Sequence, residues 1–239
     1  MSQNGGLNIT RAMVLAAGLG TRLRPLTDRV PKPLLPVGDK PLLDRALAQL
    51  AAGGVRDVMI NLHYLPEAIR SHVGDGSAFG LRAHFSLEPQ ILGTGGGVRQ
   101  VLEFFRGEPF VLMNADTLIQ LDLADLIATH RATPGAAATL VVRALEPGEH
   151  YTALACDGQG RLRAFGHGAH HYTGVMVGTA TLLQQLPSQR PACLVADGLK
   201  PLLAANTVIQ TYWYRGYWND VGTPERYAAA QVWAATATP

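Results

Sequence analysis

The densest cluster of chemistry-bearing residues lies near the start of the chain, in Leu15-Ala16-Ala17-Gly18-Leu19-Gly20-Thr21-Arg22-Leu23-Arg24-Pro25-Leu26-Thr27. An apolar run, Ala12 to Ala16, precedes it, so a buried strand opens directly into a loop of small residues that can close around a ligand. Gly18 and Gly20 admit dihedrals that other residues avoid, and successive backbone N–H groups in such a loop make a concave site for an anion. Arg22 and Arg24 add planar, permanently charged forks that match phosphate oxygens. Next comes Pro31-Lys32-Pro33-Leu34-Leu35-Pro36-Val37, in which flanking prolines predict an extended backbone presenting the Lys32 ammonium. Of 20 basic residues only Lys32, Lys40 and Lys200 are lysines, so a lysine at a rigid position stands out as a compact charge for a crowded phosphate site.

Two further stretches carry polar chemistry. Glu88-Pro89-Gln90-Ile91-Leu92-Gly93-Thr94-Gly95-Gly96-Gly97 sets a glycine cluster before a helix expected from Val98 to Phe105. Such a loop lets a flat ring approach the backbone, and the helix start favours anions. Leu112-Met113-Asn114-Ala115-Asp116 ends a strand in a carboxylate, and Tyr217-Trp218-Asn219-Asp220-Val221-Gly222-Thr223-Pro224 supplies another. Two carboxylates of this kind suit Mg²⁺, which keeps waters and takes its other ligands from substrate phosphates. No string fits the P-loop, and Leu23 stands where a dinucleotide fingerprint needs its third glycine, which argues against an NAD-dependent oxidoreductase.

The elements that must position these residues alternate. Strands are expected at Ala12–Ala16, Val55–Leu62, Arg82–Leu87 and Phe110–Asn114, with helices at Pro41–Ala52 and Leu65–Val73, which argues for a parallel sheet covered on both faces. After about Pro134 the pattern turns antiparallel or mixed, packed beside the parallel half. Strands are expected at Ala137–Val142, Thr152–Cys156, Arg161–Phe165, Tyr172–Val177 and Val208–Tyr214, and helices at Leu199–Ala205 and Pro224–Ala235. The candidate chemistry then falls at the carboxyl ends of the parallel strands, where open α/β sheets bind ligands. The reading is a single α/β domain over residues 11–235, with a first half of about 11–133, a second half of about 134–235, and a flexible start over 1–10.

Composition narrows the function class. With 239 residues, 47% of them apolar, the chain can bury a core unaided, and a net charge of +2 without a basic run gives no footprint for nucleic acid. No apolar run reaches membrane-spanning length and no signal-peptide order opens the chain. Cys156 and Cys193 are isolated and are expected to be buried, reduced thiols of a cytoplasmic protein. His167, His170 and His171 are expected in an exposed loop, solvated or facing substrate rather than holding a metal.

The Leu-Ala-Ala-Gly-x-Gly-Thr-Arg-Leu-x-Pro-Leu-Thr segment followed by Pro-Lys-Pro-Leu-Leu-Pro-Val resembles the signature of the sugar-1-phosphate nucleotidyltransferases, and the similarity runs over about residues 11–230. The resemblance implies a Rossmann-like α/β/α sandwich with a mixed, mainly parallel central sheet and an inserted sugar-binding β region, the nucleotide-binding half being about 11–133 and the sugar-binding half about 134–235. It implies joining of a nucleoside triphosphate to a sugar 1-phosphate with release of pyrophosphate. It places nucleotide contacts at Leu15, Ala16, Ala17, Gly18, Gly20, Thr21, Arg22, Glu88, Gly93 and Thr94, and sugar contacts at Asn114, Tyr172, Thr173, Gly174 and Asp197. Arg22, Lys32 and Asp116 would be catalytic, and Asp116 and Asp220 would hold Mg²⁺. Where many relatives carry Glu-Lys-Pro, this chain has Phe165-Gly166-His167, so the usual sugar contact is missing.

The short length and the C-terminal motif are similar to N-acetylmuramate-1-phosphate uridylyltransferases and also to short mannose- or heptose-1-phosphate guanylyltransferases; the reading favours UTP. No β-helix acyltransferase domain, as some relatives carry, is expected after Pro239. A silent homologue that only senses nucleotide sugars should have lost Arg22, Lys32 or a carboxylate, and all are present. The sequence leaves a homodimer open.

Overall fold

In the computed structural model, which describes residues 9–188 and 191–236, the strands are β1 (Arg11–Leu15), β2 (Pro36–Val37), β3 (Lys40–Pro41), β4 (Asp57–Leu62), β5 (Arg82–Leu87), β6 (Phe110–Asn114), β7 (Leu118–Ile119), β8 (Ala138–Ala144), β9 (Ala153–Cys156), β10 (Leu162–Phe165), β11 (His170–Gly178), β12 (Ile209–Trp213) and β13 (Trp218–Asn219). The helices are α1 (Leu42–Ala52), α2 (Pro66–Val73), α3 (Gly93–Gln100), α4 (Leu123–Arg131), α5 (Ala180–Gln185), α6 (Lys200–Ala204) and α7 (Pro224–Thr236).

Local chemistry accounts for many of these boundaries. Helix α1 buries Leu43, Ala46, Leu47 and Leu50 at helical spacing and stops at Gly53, while α2 starts with Pro66, whose missing N–H costs nothing in a first turn. Helix α4 was not anticipated, although Asp122 caps it by accepting from the Ala124 and Asp125 amides and Leu123, Leu126 and Ile127 form its buried stripe.

One nine-stranded sheet runs β10-β9-β11-β6-β1-β4-β5, with β8 between β11 and the parallel strand β12. The strands β6, β1, β4 and β5 are parallel, whereas β11 meets β6 antiparallel. The second half is antiparallel or mixed, as expected from sequence, and extends the parallel sheet edge to edge. Two apolar layers cover its faces: Val14, Ile60, Val111 and Leu47 belong to one, and Met13, Leu112, Phe110 and Leu140 to the other. This is the Rossmann-like, mixed and mainly parallel α/β sandwich.

Several expectations change. Residues 1–8 of the expected flexible start lie outside the described residues, but Ile9 is buried and the Thr10 carbonyl accepts from the Arg56 and Asp57 amides, so ordered structure begins earlier. The glycine stretch before Val98 is helical, forming most of α3, and the following turn Leu102–Phe105 is a separate 3-10 segment. Cys193 is exposed and Cys156 half-buried; neither is in a disulfide. Among the described residues no helix is long and apolar enough to cross a membrane.

Candidate active site

The parallel register sets three strand ends at one level. Leu15 lies opposite Asn61 of β4 on one side and opposite Asn114 of β6 on the other. This row floors a cleft of about 210 Å³, walled by Ala17 and Gly18 from the first loop, Glu88, Ile91, Gly93 and Thr94 from the second, and Asp116.

On the β5 side the polar groups hold one another. The Ala16 amide donates to Asn61 Oδ1 at 2.7 Å, and Asn61 Nδ2 donates to Glu88 Oε1 at 2.7 Å. The other Glu88 oxygen accepts from the Leu92 amide at 2.9 Å. Glu88 is 1% exposed and braces strand against loop while lining the cleft. Asn61 was missed from the sequence; its signal was a lone amide inside the apolar run Val58 to Leu62. Gly97 explains why α3 is glycine-rich: a Cβ there would lie 2.7 Å from Glu88 Oε1 and 2.8 Å from Asn61 Nδ2. The segment after α5 supports α3 from behind, with Ala192 O accepting from the Gly95 amide and Thr94 Oγ1 from the Leu194 amide.

In the first loop, Gly20 takes φ +64° and its carbonyl accepts from buried Thr27 Oγ1 at 2.8 Å, which fixes the turn into Thr21–Leu23. Arg24 leaves this site: it is exposed and pairs with Asp28 on the surface. Arg22 lies beside the Asp220 loop, since a Cβ built on Gly222 would sit 3.3 Å from its guanidinium and 3.2 Å from both Asp220 carboxylate oxygens.

The two carboxylate segments meet through the antiparallel pair β7–β13, in which Leu118 faces Asn219. Asp116 precedes β7 and Asp220 follows β13, so the pairing carries both to one end. Lys32 closes the group, its ammonium donating to Asp116 Oδ2 at 2.6 Å and to the Asp220 carbonyl at 3.2 Å. Lys32 itself lies in a 3-10 turn with only Pro31 extended before it, and it is 8% exposed, so the ammonium is sequestered in this contact rather than held out on an extended backbone. Tyr151 donates its hydroxyl to Asp220 Oδ2 at 2.9 Å, and Arg226 reaches Oδ1 at 3.3 Å. Burial and the neighbouring Asp220 carboxylate raise the Tyr151 hydroxyl above the ordinary phenol range. Burial pushes Glu149 up, but the Glu146 amide and the Arg143 guanidinium outweigh it and leave the carboxyl below its ordinary value.

The expected sugar contacts divide. Asn114 floors the cleft, and the Gly174 backbone packs on its amide, where a Cβ would lie 2.6 Å from Nδ2. Thr173 is buried, its hydroxyl donating to Val141 O and its carbonyl accepting from Trp218 Nε1. Tyr172 packs into the second apolar layer opposite Val142 with its hydroxyl buried, away from the cleft, because strand alternation turns it to the core. Asp197 accepts from the Cys193 amide at 2.8 Å and shapes the turn that supports α3. The histidines scatter: His171 is fully buried and stacked on Tyr151, His170 packs on Trp213, and His167 is exposed. His171 corrects the exposed-loop expectation, and burial lowers its pKa.

A model of the family described as nucleotidyl transferase matches residues 11–236. The chain belongs to this family. It is 33% identical to a Mycobacterium tuberculosis mannose-1-phosphate guanylyltransferase, covering 90% of this chain and 62% of that protein. It is 34% identical to an N-acetylmuramate alpha-1-phosphate uridylyltransferase of Neisseria meningitidis serogroup B, covering 94% and 98%. The chain thus spans about three fifths of the guanylyltransferase and nearly all of the uridylyltransferase. A solved Bacillus anthracis protein in complex with sucrose superposes with a TM-score of 0.86 at 19% identity over 96% of each chain. HddC from Yersinia pseudotuberculosis complexed with GMP-PN gives 0.79 at 22% identity over 94% of this chain and 99% of that one.

Proposed function

We propose that this nucleotidyl transferase joins a nucleoside triphosphate to a sugar 1-phosphate, forming a nucleotide sugar and pyrophosphate. The observation that carries this is Lys32: one ammonium spans Asp116 and the Asp220 segment at the mouth of a cleft built from the glycine loops. Three distant motifs thereby present cationic groups and hard oxygen donors at one place, which suits phosphoryl chemistry.

A phosphate oxygen of the sugar 1-phosphate attacks the α-phosphorus in line; the bond from that phosphorus to the β-phosphate oxygen breaks and pyrophosphate leaves. The attacking oxygen is already anionic near neutral pH, so the reaction needs positioning and charge neutralisation rather than a general base. Arg22 and the loop amides around Gly18, Gly20 and Thr21 would neutralise the departing pyrophosphate. Lys32 would shift from Asp116 towards the charge at the α-phosphorus. Glu88 and Asn61, each engaged in internal hydrogen bonds, keep the loop amides aimed at the nucleotide.

The donor set fits Mg²⁺. The Asp116 and Asp220 side chains are 34% and 24% exposed, and each keeps carboxylate lone pairs beyond its protein contacts. Among the described residues no cluster of three or more His, Cys, Asp or Glu is placed to hold a metal, so a cation here would complete its shell with water and phosphate oxygens, as Mg²⁺ prefers. When bound, Mg²⁺ supplies charge neutralisation between the two phosphates.

Within this class we favour UTP and N-acetylmuramate 1-phosphate, supported by 34% identity over nearly the whole of both chains with the meningococcal uridylyltransferase. The 33% identity to the mycobacterial enzyme supports GTP with mannose 1-phosphate as the second reading. Pyrophosphate release over four nucleoside triphosphates crossed with common sugar 1-phosphates, in Mg²⁺, decides between them. The highest kcat/KM is expected with UTP and N-acetylmuramate 1-phosphate; a preference for GTP and mannose 1-phosphate selects the second reading, and no release with any pair would overturn the class.

A further inference from the structure

We infer that Tyr151, together with the Glu149-anchored Arg226, is a positioning device that sets the Asp220 carboxylate for a divalent cation, an inference that rests on reading Asp220 as a metal ligand.

Asp220 sits in a loop just past the two-residue strand β13, a place where a carboxylate would ordinarily rotate freely. Here three donors fix it, Tyr151 from a distant part of the chain and Gly222 and Arg226 from the segment that follows Asp220. The Tyr151 hydroxyl donates to Oδ2 at 2.9 Å, the Gly222 amide donates to Oδ1 at 3.2 Å, and Arg226 Nη1 reaches Oδ1 at 3.3 Å. Tyr151 is in turn immobilised. Its ring stacks on buried His171 with centroids 4.5 Å apart, meets Trp218 edge-on at 5.2 Å, and is covered by the Arg226 guanidinium at 5.1 Å.

The charges are arranged so that this hold does not cancel the carboxylate. A tyrosine hydroxyl orients an oxygen without adding positive charge. A lone guanidinium on Asp220 would compete with a divalent cation for the same oxygens, but Arg226 divides itself, its Nη2 lying 3.2 Å from Glu149 Oε1. Glu149 is fixed in turn by Arg143 at 3.0 Å and by the Glu146 amide at 3.0 Å. Arg226 and Arg143 meet three carboxylates, Asp220, Glu149 and Glu146, the last 3.5 Å from Arg143, so the guanidinium charge is more than balanced and Asp220 keeps its attraction for a cation. Groups that orient a metal ligand from behind typically change metal affinity by about 10–100-fold when removed.

The test is binding of Mn²⁺ alone, without substrates, followed by the electron paramagnetic resonance signal of the free ion, and the Mg²⁺ dependence of pyrophosphate release. Tyr151→Phe removes only the hydroxyl and leaves the ring in its stack. The Kd for Mn²⁺ and the Mg²⁺ concentration for half-maximal rate should both rise about tenfold or more, with kcat recovered at saturating metal and the melting temperature nearly unchanged. Glu149→Gln, which leaves Arg226 unbalanced, should weaken Mn²⁺ in the same direction and carries the test if the phenylalanine variant melts early. Wild-type Mn²⁺ affinity in both variants overturns the inference. Asp220→Asn separates the two levels: if it weakens Mn²⁺ while both variants bind normally, the positioning role alone fails; if it too binds normally, the reading of Asp220 as a ligand fails as well.

Discussion

On the β5 side of the cleft, Asn61 and Glu88 spend their polar atoms on the Ala16 amide, the Leu92 amide and each other, and both are nearly inaccessible to water. On the β7–β13 side, Lys32, Asp116 and Asp220 meet as charged groups, and the two carboxylates keep a quarter to a third of their side-chain surface exposed. The first region is a satisfied frame that shapes backbone; the second is a set of charges that substrate phosphates and a cation can rearrange. Removing a side chain from the frame should therefore cost stability, and removing one from the charged group should cost rate.

The charged side gives the largest expected effect. Lys32→Ala, and separately Arg22→Ala, should reduce kcat/KM for pyrophosphate formation by about 100-fold or more, as loss of a positioned charge in the transition state does. Both should stay folded, because the partner left behind by Lys32, Asp116, reaches solvent. Near-wild-type turnover in either would remove that residue from the reaction.

The frame should respond the other way. Asn61→Leu keeps roughly the volume but leaves the Ala16 amide and the buried Glu88 carboxylate each short of a partner. Urea denaturation should show a loss of about 3 kcal/mol, the range for stranding a buried charged group. A variant as stable as wild type would show that this side is not a load-carrying frame.

The two regions also differ in how far the sequence revealed them. The contiguous Gly18–Arg22 loop and the strand-end carboxylate Asp116 announce themselves because their chemistry is local. The helix α3 hid behind its own composition. Glycine costs about 1 kcal/mol per position relative to alanine in a helix, so the stretch Gly93–Gly97 reads as loop. Tertiary packing overrides that cost, since Glu88 and Asn61 come too close to position 97 for any larger residue. Tyr151 carried no local signal at all, for its role depends on His171 of β11 and Trp218 of β13 meeting around its ring. His171 misled for a related reason: polarity suggested exposure, whereas strand pairing opposite Arg143 turns the ring inward onto Tyr151 and Trp218.

That inward turn gives the smallest expected effect and sharpens the comparison with pH. Burial lowers the His171 pKa, so the folded protein resists a proton that the unfolded chain accepts. Its contribution to stability is thus complete above the ordinary imidazole range and is lost as pH falls through it. His130, half-buried and shifted the same way, adds to the trend. Replacing His171 with Asn should flatten the fall in melting temperature between pH 7.5 and about 5 relative to wild type. An unchanged slope would mean that His171 does not titrate across unfolding.

The central claim is that Asp116, from the middle of the chain, and Asp220, from near its end, form one cation-dependent phosphoryl-transfer centre. Its most direct test is pyrophosphate release by wild type and Asp116→Asn across a Mg²⁺ titration. The account predicts steep Mg²⁺ dependence in the wild type and no Mg²⁺-dependent release in the variant, with both proteins folded. Release by Asp116→Asn at the wild-type rate and with the wild-type Mg²⁺ dependence would contradict it.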